Sequence, residues 1–323
     1  MTDLTRRTMI AGLAAFAATS AHSQTGWPTR PVMLVHGFPP GGPVDTVSRI
    51  LGAGLSKHFK QQVVVDAKPG AAGTIAAGQV ARAIPDGYTL MAVPATFAGT
   101  AAMYRTLPYR PIEDFSPISM TVEYPYVLVT HSDHSIRTLS DLISTARSQS
   151  SPLQYGTAGL GSLQHLSMEL FAKLANIRLQ HIPYRGGAPA VADLLGKRLD
   201  LLLDPPTTLV QYLSDGKLRA LGVTSRDRFF SLPDVPTIAE AGFPGFVVTP
   251  YQGIAAPAGL PASLVNRLNR DVAAVLAEPA VVEQLRKLGN NPRPSSPEEF
   301  RAHLTADIAQ WSKVVTDTNI ERI

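Results

Sequence analysis

The sequence contains no cysteine among its 323 residues. Disulfide bonds, thiolate nucleophiles, cysteine metal ligands and a lipid anchor on an N-terminal cysteine are therefore excluded. An excess of one charge is also lacking, because 29 basic residues face 25 acidic ones and leave a formal net charge of only +4. These charges form no basic stripe, so we expect no nucleic-acid partner. Beyond the N-terminus no run of about 18 apolar residues occurs, so the mature protein is not expected to span a membrane.

Motifs for metal and nucleotide cofactors are missing as well. His131 and His134 are close in sequence, but no His-Glu-x-x-His pattern or carboxylate cluster accompanies them. Neither a Walker loop nor a strand-linked Gly-x-Gly-x-x-Gly is present. We therefore expect no metal and no cofactor.

The N-terminus has the features of an export signal. Arg6 and Arg7 precede an apolar stretch over residues 9–18, and Ala21-His22-Ser23 is a small-x-small cleavage site. Residues 1–23 are predicted to be a signal peptide, so the mature chain would start at Gln24 in the periplasm. The paired arginines suit either a twin-arginine or an ordinary secretory signal. Cleavage removes one aspartate and two arginines, which takes the formal charge from +4 to +3.

Short apolar runs alternate with helix-like segments along the rest of the chain. The predicted strands cover residues 32–35, 63–66, 89–93, 126–131, 153–157, 179–182, 199–204, 219–224 and 252–256. Most of these runs are continuously apolar, which is typical of strands buried on both faces. The pattern predicts an α/β fold with mostly parallel sheets flanked by helices.

Helical spacing of apolar residues supports the same fold. It is clear over residues 44–59, 163–174 and 262–276. A further helix is predicted to start at Ser296, whose hydroxyl can cap it while Glu299 bonds back. Pro244-Gly245 and residues 257–261 have the composition of connections. We predict two lobes, one of residues 24–123 plus 245–323 and one of residues 124–244, with a ligand pocket between them.

Glycine-rich turns join a predicted strand to a helix at three places, residues 38–43, 159–162 and 184–189. A helix N-terminus carries unpaired N–H groups and a partial positive charge, so each turn can hold an anion. Three such turns predict binding of a small carboxylate. In the first turn, Gly41 and Gly42 are predicted to contact the ligand, whereas the candidate Asp45 is better suited to shaping the loop than to contacting an anion.

Side chains near the other two turns are further candidates. In the second turn Ser162 can cap a helix or face the ligand, and the same two alternatives apply to Thr157 and His165. In the third turn Tyr184 is preferred over Arg185. Asp204 ends an apolar strand, where it can accept from a ligand or tie down a loop.

One local motif points to a different function. Residues 32–38 end in His36-Gly37, like the strand and turn that open an α/β-hydrolase. No serine stands in the Gly-x-Ser-x-Gly pattern of that fold. The missing pattern weakens the hydrolase interpretation, and a secreted esterase-like hydrolase is kept as the alternative to a carboxylate-binding protein that is not an enzyme.

An ordered set of motifs resembles the substrate-binding receptors of tripartite tricarboxylate transporters, the Bug-type periplasmic proteins. The motifs lie at residues 27–31, 38–42, 63–70, 85–90, 107–115, 161–166, 183–186, 216–221, 232–242, 256–259 and 267–269. The resemblance implies a two-lobed, type II-like periplasmic-binding fold that closes on its ligand. It also implies ligand contacts from Phe38 and, more weakly, Thr96, beside the candidates named above. Departures from the family pattern occur at His36-Gly37, Arg110, Pro205-Pro206 and Tyr251.

Partners follow from the same resemblance. It implies a monomeric receptor that delivers a small organic carboxylate to membrane permease subunits. A ligand-sensing subunit for a membrane kinase is a second alternative. The residues do not distinguish dicarboxylates, tricarboxylates, amino acids and aromatic acids, since all of them present the same carboxylate.

Overall fold

The computed structural model describes residues 26–323, so the predicted signal peptide at residues 1–23 lies outside the described residues. The described chain forms eleven strands, numbered in chain order: β1 (Val32–His36), β2 (Val63–Ala67), β3 (Thr89–Pro94), β4 (Phe115–Glu123), β5 (Val127–His131), β6 (Leu153–Thr157), β7 (Leu179–Pro183), β8 (Leu201–Asp204), β9 (Leu218–Val223), β10 (Tyr251–Pro257) and β11 (Asn291–Pro292).

Ten α-helices lie between and after these strands. They are α1 (Pro43–Phe59), α2 (Thr74–Ala81), α3 (Thr96–Met103), α4 (Leu139–Ser148), α5 (Leu163–Ala175), α6 (Gly187–Leu195), α7 (Pro206–Ser214), α8 (Ala262–Ala277), α9 (Pro279–Lys287) and α10 (Pro297–Asp317). Within residues 26–323, every helix is too short or too polar to cross a lipid bilayer.

The strands form two separate sheets. The first has the order β11-β4-β10-β3-β1-β2 and the second has the order β7-β6-β8-β5-β9. Helices pack on both sheets, so the predicted α/β class is confirmed. All nine predicted strands are present, with ends shifted by at most two residues.

Strand direction differs from the prediction of mostly parallel sheets, because both sheets are mixed. Four neighbouring pairs are parallel, namely β1 with β2 and β3, and β6 with β7 and β8. The other five pairs are antiparallel and involve β4, β5 and β10. Strand β10 is buried along its whole length. A continuous apolar run indicates burial on both faces and carries no information about strand direction, which is why the prediction was wrong here.

Two strands have no counterpart in the prediction. Strand β4 contains Pro117, which opposes Ala255 where the register with β10 shifts. A proline within a run argues against a central strand, and it is tolerated here at an irregularity of the ladder. Strand β11 has only two residues and leaves no detectable pattern.

The start of α10 follows the prediction in part. The Ser296 hydroxyl accepts a hydrogen bond from the Glu299 amide at 3.0 Å, as expected for an N-cap. Glu299 does not bond back to Ser296. Its side chain instead accepts from the Arg293 guanidinium at 2.8 Å. An ion pair on the surface has replaced the second half of the capping box.

Two connections cross between the sheets and are hydrogen-bonded to each other. Residues 124–126 lead from β4 to β5, and residues 224–250 lead from β9 back to β10. The Tyr124 amide donates to the Pro250 carbonyl at 3.0 Å, and the Tyr126 amide donates to the Thr224 hydroxyl at 2.9 Å. The Thr224 hydroxyl in turn donates to the Val248 carbonyl at 2.6 Å. These hydrogen bonds hold the two crossing connections side by side.

The apolar core continues from one sheet to the other. A single cluster of buried side chains includes Leu34 from the first sheet and Phe171 from α5 on the second. A smaller cluster joins β5 to α6 and α7 through Val129, Leu194 and Leu209. Loops of the two sheets meet above this shared core and enclose the cavity described next.

Candidate functional site

A cavity of about 720 Å³, including its solvent-open mouth, lies between loops of the two sheets. The first-sheet side contributes Phe38, Pro39, Pro40, Gly42, Pro43, Val44, Pro94, Ala95 and Thr96. The second-sheet side contributes Ala158, Gln164, Arg185, Gly186, Gly187, Ala188, Pro189, Asp204 and Pro205. Tyr124 and Tyr126 line it from the first crossing connection.

The N-termini of four helices lie at this cavity. The N-cap residues of α1, α3, α6 and α7 are Gly42, Ala95, Gly186 and Pro205, and all four line the wall. None of the four helices has a side-chain hydrogen bond at its cap. Their first-turn N–H groups therefore lack side-chain acceptors, and their dipoles add positive potential. The arrangement favours a bound anion.

Loops from opposite sides touch at the mouth of the cavity. Gly186 has φ of +119°, and a Cβ added to it would lie 3.4 Å from Cγ of Pro39. The positive φ is what favours glycine at this position, because an added Cβ would make only an ordinary van der Waals contact with Pro39.

Asp45 shapes the first loop from inside the protein. One of its carboxylate oxygens lies 3.0 Å from Nε2 of His36. The other accepts from the Gly41 amide at 2.9 Å and from Nε of Arg49 at 2.7 Å. Burial raises the pKa of Asp45, but the bonds from Arg49, Gly41 and His36 outweigh it and hold the pKa below its ordinary value. Neither Gly41 nor Asp45 is among the residues that line the cavity.

His36 is fully buried behind this loop. Burial lowers its pKa despite the neighbouring Asp45, so the neutral imidazole donates from Nε2 to Asp45. Its Nδ1 accepts from the Phe38 amide at 3.4 Å. Both ring nitrogens are therefore used within the loop, and neither is left to take a proton from a serine hydroxyl. This geometry gives no support to the hydrolase alternative.

The second glycine-rich turn satisfies its own polar groups. The Ser162 hydroxyl accepts from the His165 amide at 3.3 Å and caps α5, and Nδ1 of His165 accepts from the Gly161 amide at 3.4 Å. The Thr157 hydroxyl lies 2.7 Å from Nε2 of His181. Thr157, Ser162 and His165 do not line the cavity, so ligand contact by these side chains stays a prediction.

The imidazoles near this turn are stacked and neutral. The rings of His165 and His181 lie 4.0 Å apart between centroids, inclined by 18°. Burial lowers the pKa of His165 to about 4. Burial, together with the neighbouring His165, lowers the pKa of His181 to about 3. At neutral pH this pair contributes packing and no charge to the site.

In the third turn, Gly186 and Gly187 line the cavity, whereas Tyr184 does not. The Tyr184 hydroxyl donates to Asp193 at 2.7 Å, outside the cavity. The exposed Arg185 lines the wall instead, so the preference for Tyr184 over Arg185 is not matched by their positions.

Asp204 lies in the wall and is fully buried. It accepts from the Thr208 hydroxyl and, at 3.2 Å, from Nε2 of Gln164. Burial raises the pKa of Asp204 to about 6, because these two neutral donors only partly offset the loss of water. Of the predicted site residues, the cavity brings together Phe38, Gly42, Thr96 and Asp204.

Sequence reasoning missed Tyr124, Tyr126 and Gln164. The two tyrosines flank Pro125 just after the predicted lobe boundary at Glu123, and pockets between lobes are the default ligand sites. Their position at that boundary was the available signal. Gln164 is the second residue of α5, two positions after the cap residue Ser162, where no polarity pattern distinguishes it.

Comparisons with known proteins all point to one protein family. The sequence profile described as the tripartite tricarboxylate transporter family receptor, TctC, matches residues 47–320. A protein encoded in the tcbD-tcbE intergenic region of Pseudomonas sp. strain P51 is 39% identical over 98% of this chain and 96% of its own. Protein BugT of Bordetella pertussis is 34% identical over 98% of each chain.

Solved structures share the fold. The R. palustris protein Rpa4515, solved with adipate, is 37% identical and has a TM-score of 0.88 over 92% of this chain and 100% of its own. The periplasmic binding protein BugD is 34% identical with a TM-score of 0.86 over the same shares. MatC from Rhodopseudomonas palustris, with bound malate, is 34% identical with a TM-score of 0.84 over 90% and 100%. The predicted two-lobed periplasmic-binding architecture is thereby confirmed.

Proposed function

Because this chain belongs to the tripartite tricarboxylate transporter receptor family, we propose that it binds a small carboxylate in the cavity between its two sheets and carries out no covalent chemistry. The observation that carries the proposal is the convergence of four helix N-termini without side-chain caps on one cavity. Relatives of the same fold were solved with adipate and with malate, both carboxylates.

The carboxylate would be held by main-chain N–H groups. The Gly42 amide already donates to the Pro39 carbonyl at 3.3 Å, so we propose that N–H groups in the first turn of α1 beyond Pro43 contact the carboxylate from one side and those of Gly186 and Gly187 from the other. Charge-assisted hydrogen bonds of this kind are stronger than neutral ones. Micromolar binding corresponds to about −8 kcal/mol, which a few such bonds and closure of the loops can supply.

The two sheets support a proposal for the bounds of the lobes. We propose that residues 24–123 and 245–323 form one lobe and residues 124–244 the other. In support, β5 to β9 make up the second sheet and all other strands belong to the first. We further propose that the chain is exported by its N-terminal signal, acts as a monomer in the periplasm and passes its ligand to permease subunits in the membrane.

Replacing Gly42 by leucine tests the proposed site. Gly42 has φ of −76°, which any residue adopts, and an added Cβ would lie 3.3 Å from the Pro39 carbonyl oxygen. Because this contact is close, the variant Gly42→Leu is expected to lower the free energy of unfolding by about 1 kcal/mol while remaining folded. It would place a side chain in the cavity wall and weaken carboxylate binding at least tenfold, measured by calorimetry against benzoate, adipate and malate.

A matched control comes from Gly245, which is exposed and does not line the cavity, and where an added Cβ would meet no atom within 4 Å. Gly245→Leu should leave both affinity and stability unchanged. Unaltered affinity in Gly42→Leu, or no binding of any acid to the wild-type chain, would contradict the proposed site.

A further inference from the structure

The Asp204 carboxyl lies directly against the first residue of α6. A Cβ added to Gly187 would overlap Oδ2 of Asp204 and would lie 3.0 Å from its Oδ1. Glycine at this position therefore leaves room for the carboxyl beside the helix N-terminus. Gly187 and Asp204 both line the cavity. A carboxyl group of the protein thus already lies where the N-terminus of α6 favours a negative charge.

The hydrogen-bond geometry around Asp204 fits a protonated carboxyl. The Thr208 hydroxyl lies within hydrogen-bond distance of two acceptors, Oδ2 of Asp204 and, at 2.9 Å, the Pro205 carbonyl oxygen. A hydroxyl has one hydrogen, so it can donate to only one of them. A proton on Oδ2 would bond to the Thr208 oxygen while Thr208 donates to Pro205, and both contacts would then be hydrogen bonds. Oδ1 would still accept from Nε2 of Gln164 at 3.2 Å.

Asp204 has no charged hydrogen-bond donor within residues 26–323. Its side chain is buried, and both of its donors, Thr208 and Gln164, are neutral. Of the described residues that line the cavity, Arg185 is the one cation, and it is exposed to solvent. Burial without a charged partner raises the pKa of Asp204 to about 6. The carboxyl is therefore close to its protonated form near neutral pH.

Other titratable groups around Asp204 do not change charge in the cavity over the same pH range. Burial raises the pKa of Tyr124 and Tyr126 and lowers that of His165 to about 4, so all three are uncharged near neutral pH. The other titratable side chains on the elements packed against Asp204 do not line the cavity; they are His131 on β5, Tyr155 on β6, Glu169 and Lys173 on α5, Asp193 on α6 and Tyr212 on α7. Glu169 accepts from Tyr155, and Asp193 accepts from Tyr184.

Two carboxylates that share one site repel each other unless one of them is neutral. A ligand carboxylate at Gly186 and Gly187 would lie beside Asp204, where water screens the exposed Arg185. We infer that Asp204 is protonated whenever a carboxylate is bound, so that binding at neutral pH takes up one proton at Asp204. The proton comes from solvent, and no covalent bond of the ligand changes. The inference rests on the proposed function, since the ligand carboxylate has to reach the N-terminus of α6.

Calorimetry of residues 24–323 in two buffers of different ionisation enthalpy counts the protons that binding takes up. The probe is whichever of benzoate, adipate and malate binds wild type most tightly. At pH 7.5 close to one proton should be taken up per ligand, and the affinity should fall at least about tenfold between pH 6.5 and pH 8.5, where the ligand itself stays ionised. Binding without proton uptake would overturn the inference and leave the proposed function intact, whereas no binding of any acid would remove both.

The variant Asp204→Asn removes the charge and keeps both hydrogen bonds, because an amide can donate to Thr208 and accept from Gln164. Proton uptake should disappear, and the affinity at pH 8.5 should be at least about tenfold higher than that of wild type. Asp234→Asn is the matched control, because Asp234 is exposed and does not line the cavity, and this variant should behave like wild type.

Weaker binding by Asp204→Asn at every pH would overturn the inference. It would mean that Asp204 stays ionised and accepts from a hydroxyl or ammonium group of the ligand. The proton count on wild type decides the question even if Asp204→Asn is unstable, because that measurement needs no variant.

Discussion

Two buried aspartates near the cavity differ in their hydrogen-bond partners. Asp45 accepts from an arginine, a backbone amide and His36, and its pKa lies below the ordinary value although burial acts in the opposite direction. Asp204 is bonded only to the neutral side chains of Thr208 and Gln164, and burial raises its pKa to about 6. A charged donor thus decides which way a buried carboxyl shifts. Asp45 holds the loop, and Asp204 remains free to change its charge near neutral pH.

The variant Asp204→Asn should alter how stability depends on pH. Asp204 binds its proton more tightly in the folded chain, so its contribution is fully present below the unfolded pKa near 4 and is lost as pH rises through about 6. The loss is at most about 3 kcal/mol, because one pKa unit corresponds to about 1.4 kcal/mol. Urea unfolding at pH 4.5 and pH 7 should show wild type losing stability relative to Asp204→Asn by about 1–3 kcal/mol.

Comparison with the variant is needed because other groups titrate in the same range. The pKa values of His165 and His181 are lowered by burial, so their contribution is lost as pH falls, opposite to that of Asp204. Subtracting the stability–pH profile of Asp204→Asn from that of wild type removes the contribution of these histidines, which both proteins share. The exposed Asp234→Asn variant is a control, and parallel profiles for wild type and Asp204→Asn would contradict the assignment.

At the scale of elements, the sequence predicted the strands well and their directions poorly. Strand β6, with the sequence Leu-Gln-Tyr-Gly-Thr, was predicted with its exact ends as residues 153–157, because the glycine-rich turn at residues 159–162 marks where a strand has to stop. Strand β10 was predicted too, but its antiparallel direction depends on where the chain returns from the second sheet. Strand β4 was not predicted, because Pro117 within the run argues against a central strand. Direction and pairing are long-range properties that a local pattern does not contain.

The helix starts illustrate what could be predicted of the site. The N-termini of α1 and α6 were recognised from Gly42 and Gly186, and both line the cavity. The same reasoning selected α5, whose start is instead capped by Ser162. The N-termini of α3 and α7 were missed as anion sites, since Ala95 and Pro205 carry no glycine-rich signal. A local motif identifies a helix start, and only the tertiary fold decides which starts face one cavity.

The variant Ser162→Ala tests the role of the second turn. Loss of the cap hydroxyl should lower the free energy of unfolding by about 1 kcal/mol, the usual cost of removing an N-cap. Carboxylate affinity should change less than twofold, because Ser162 does not line the cavity. Urea unfolding and calorimetry measure the two effects. A tenfold loss of affinity with unchanged stability would mean that Ser162 contacts the ligand, as the sequence alone suggested.

For the whole molecule, the position of the cavity follows from the two crossing connections. Residues 124–126 are bonded to the return connection at Pro250 and Thr224, so both sheets meet along one line. The cavity opens beside that line, and Pro39 approaches Gly186 across its mouth. Movement about such paired connections is a hinge motion, and a ligand shifts it only through contacts that differ between the open and closed forms.

The account depends on main-chain N–H groups at helix N-termini holding a negative charge between the lobes. Calorimetry of residues 24–323 with 4-hydroxybenzoate, adipate and malate, each beside its fully amidated analogue (the diamide for adipate and malate), tests this most directly. Every acid that binds should do so at least 100-fold more tightly than its amide, which keeps the shape and removes the charge. Equal affinity for an acid and its amide would contradict the account.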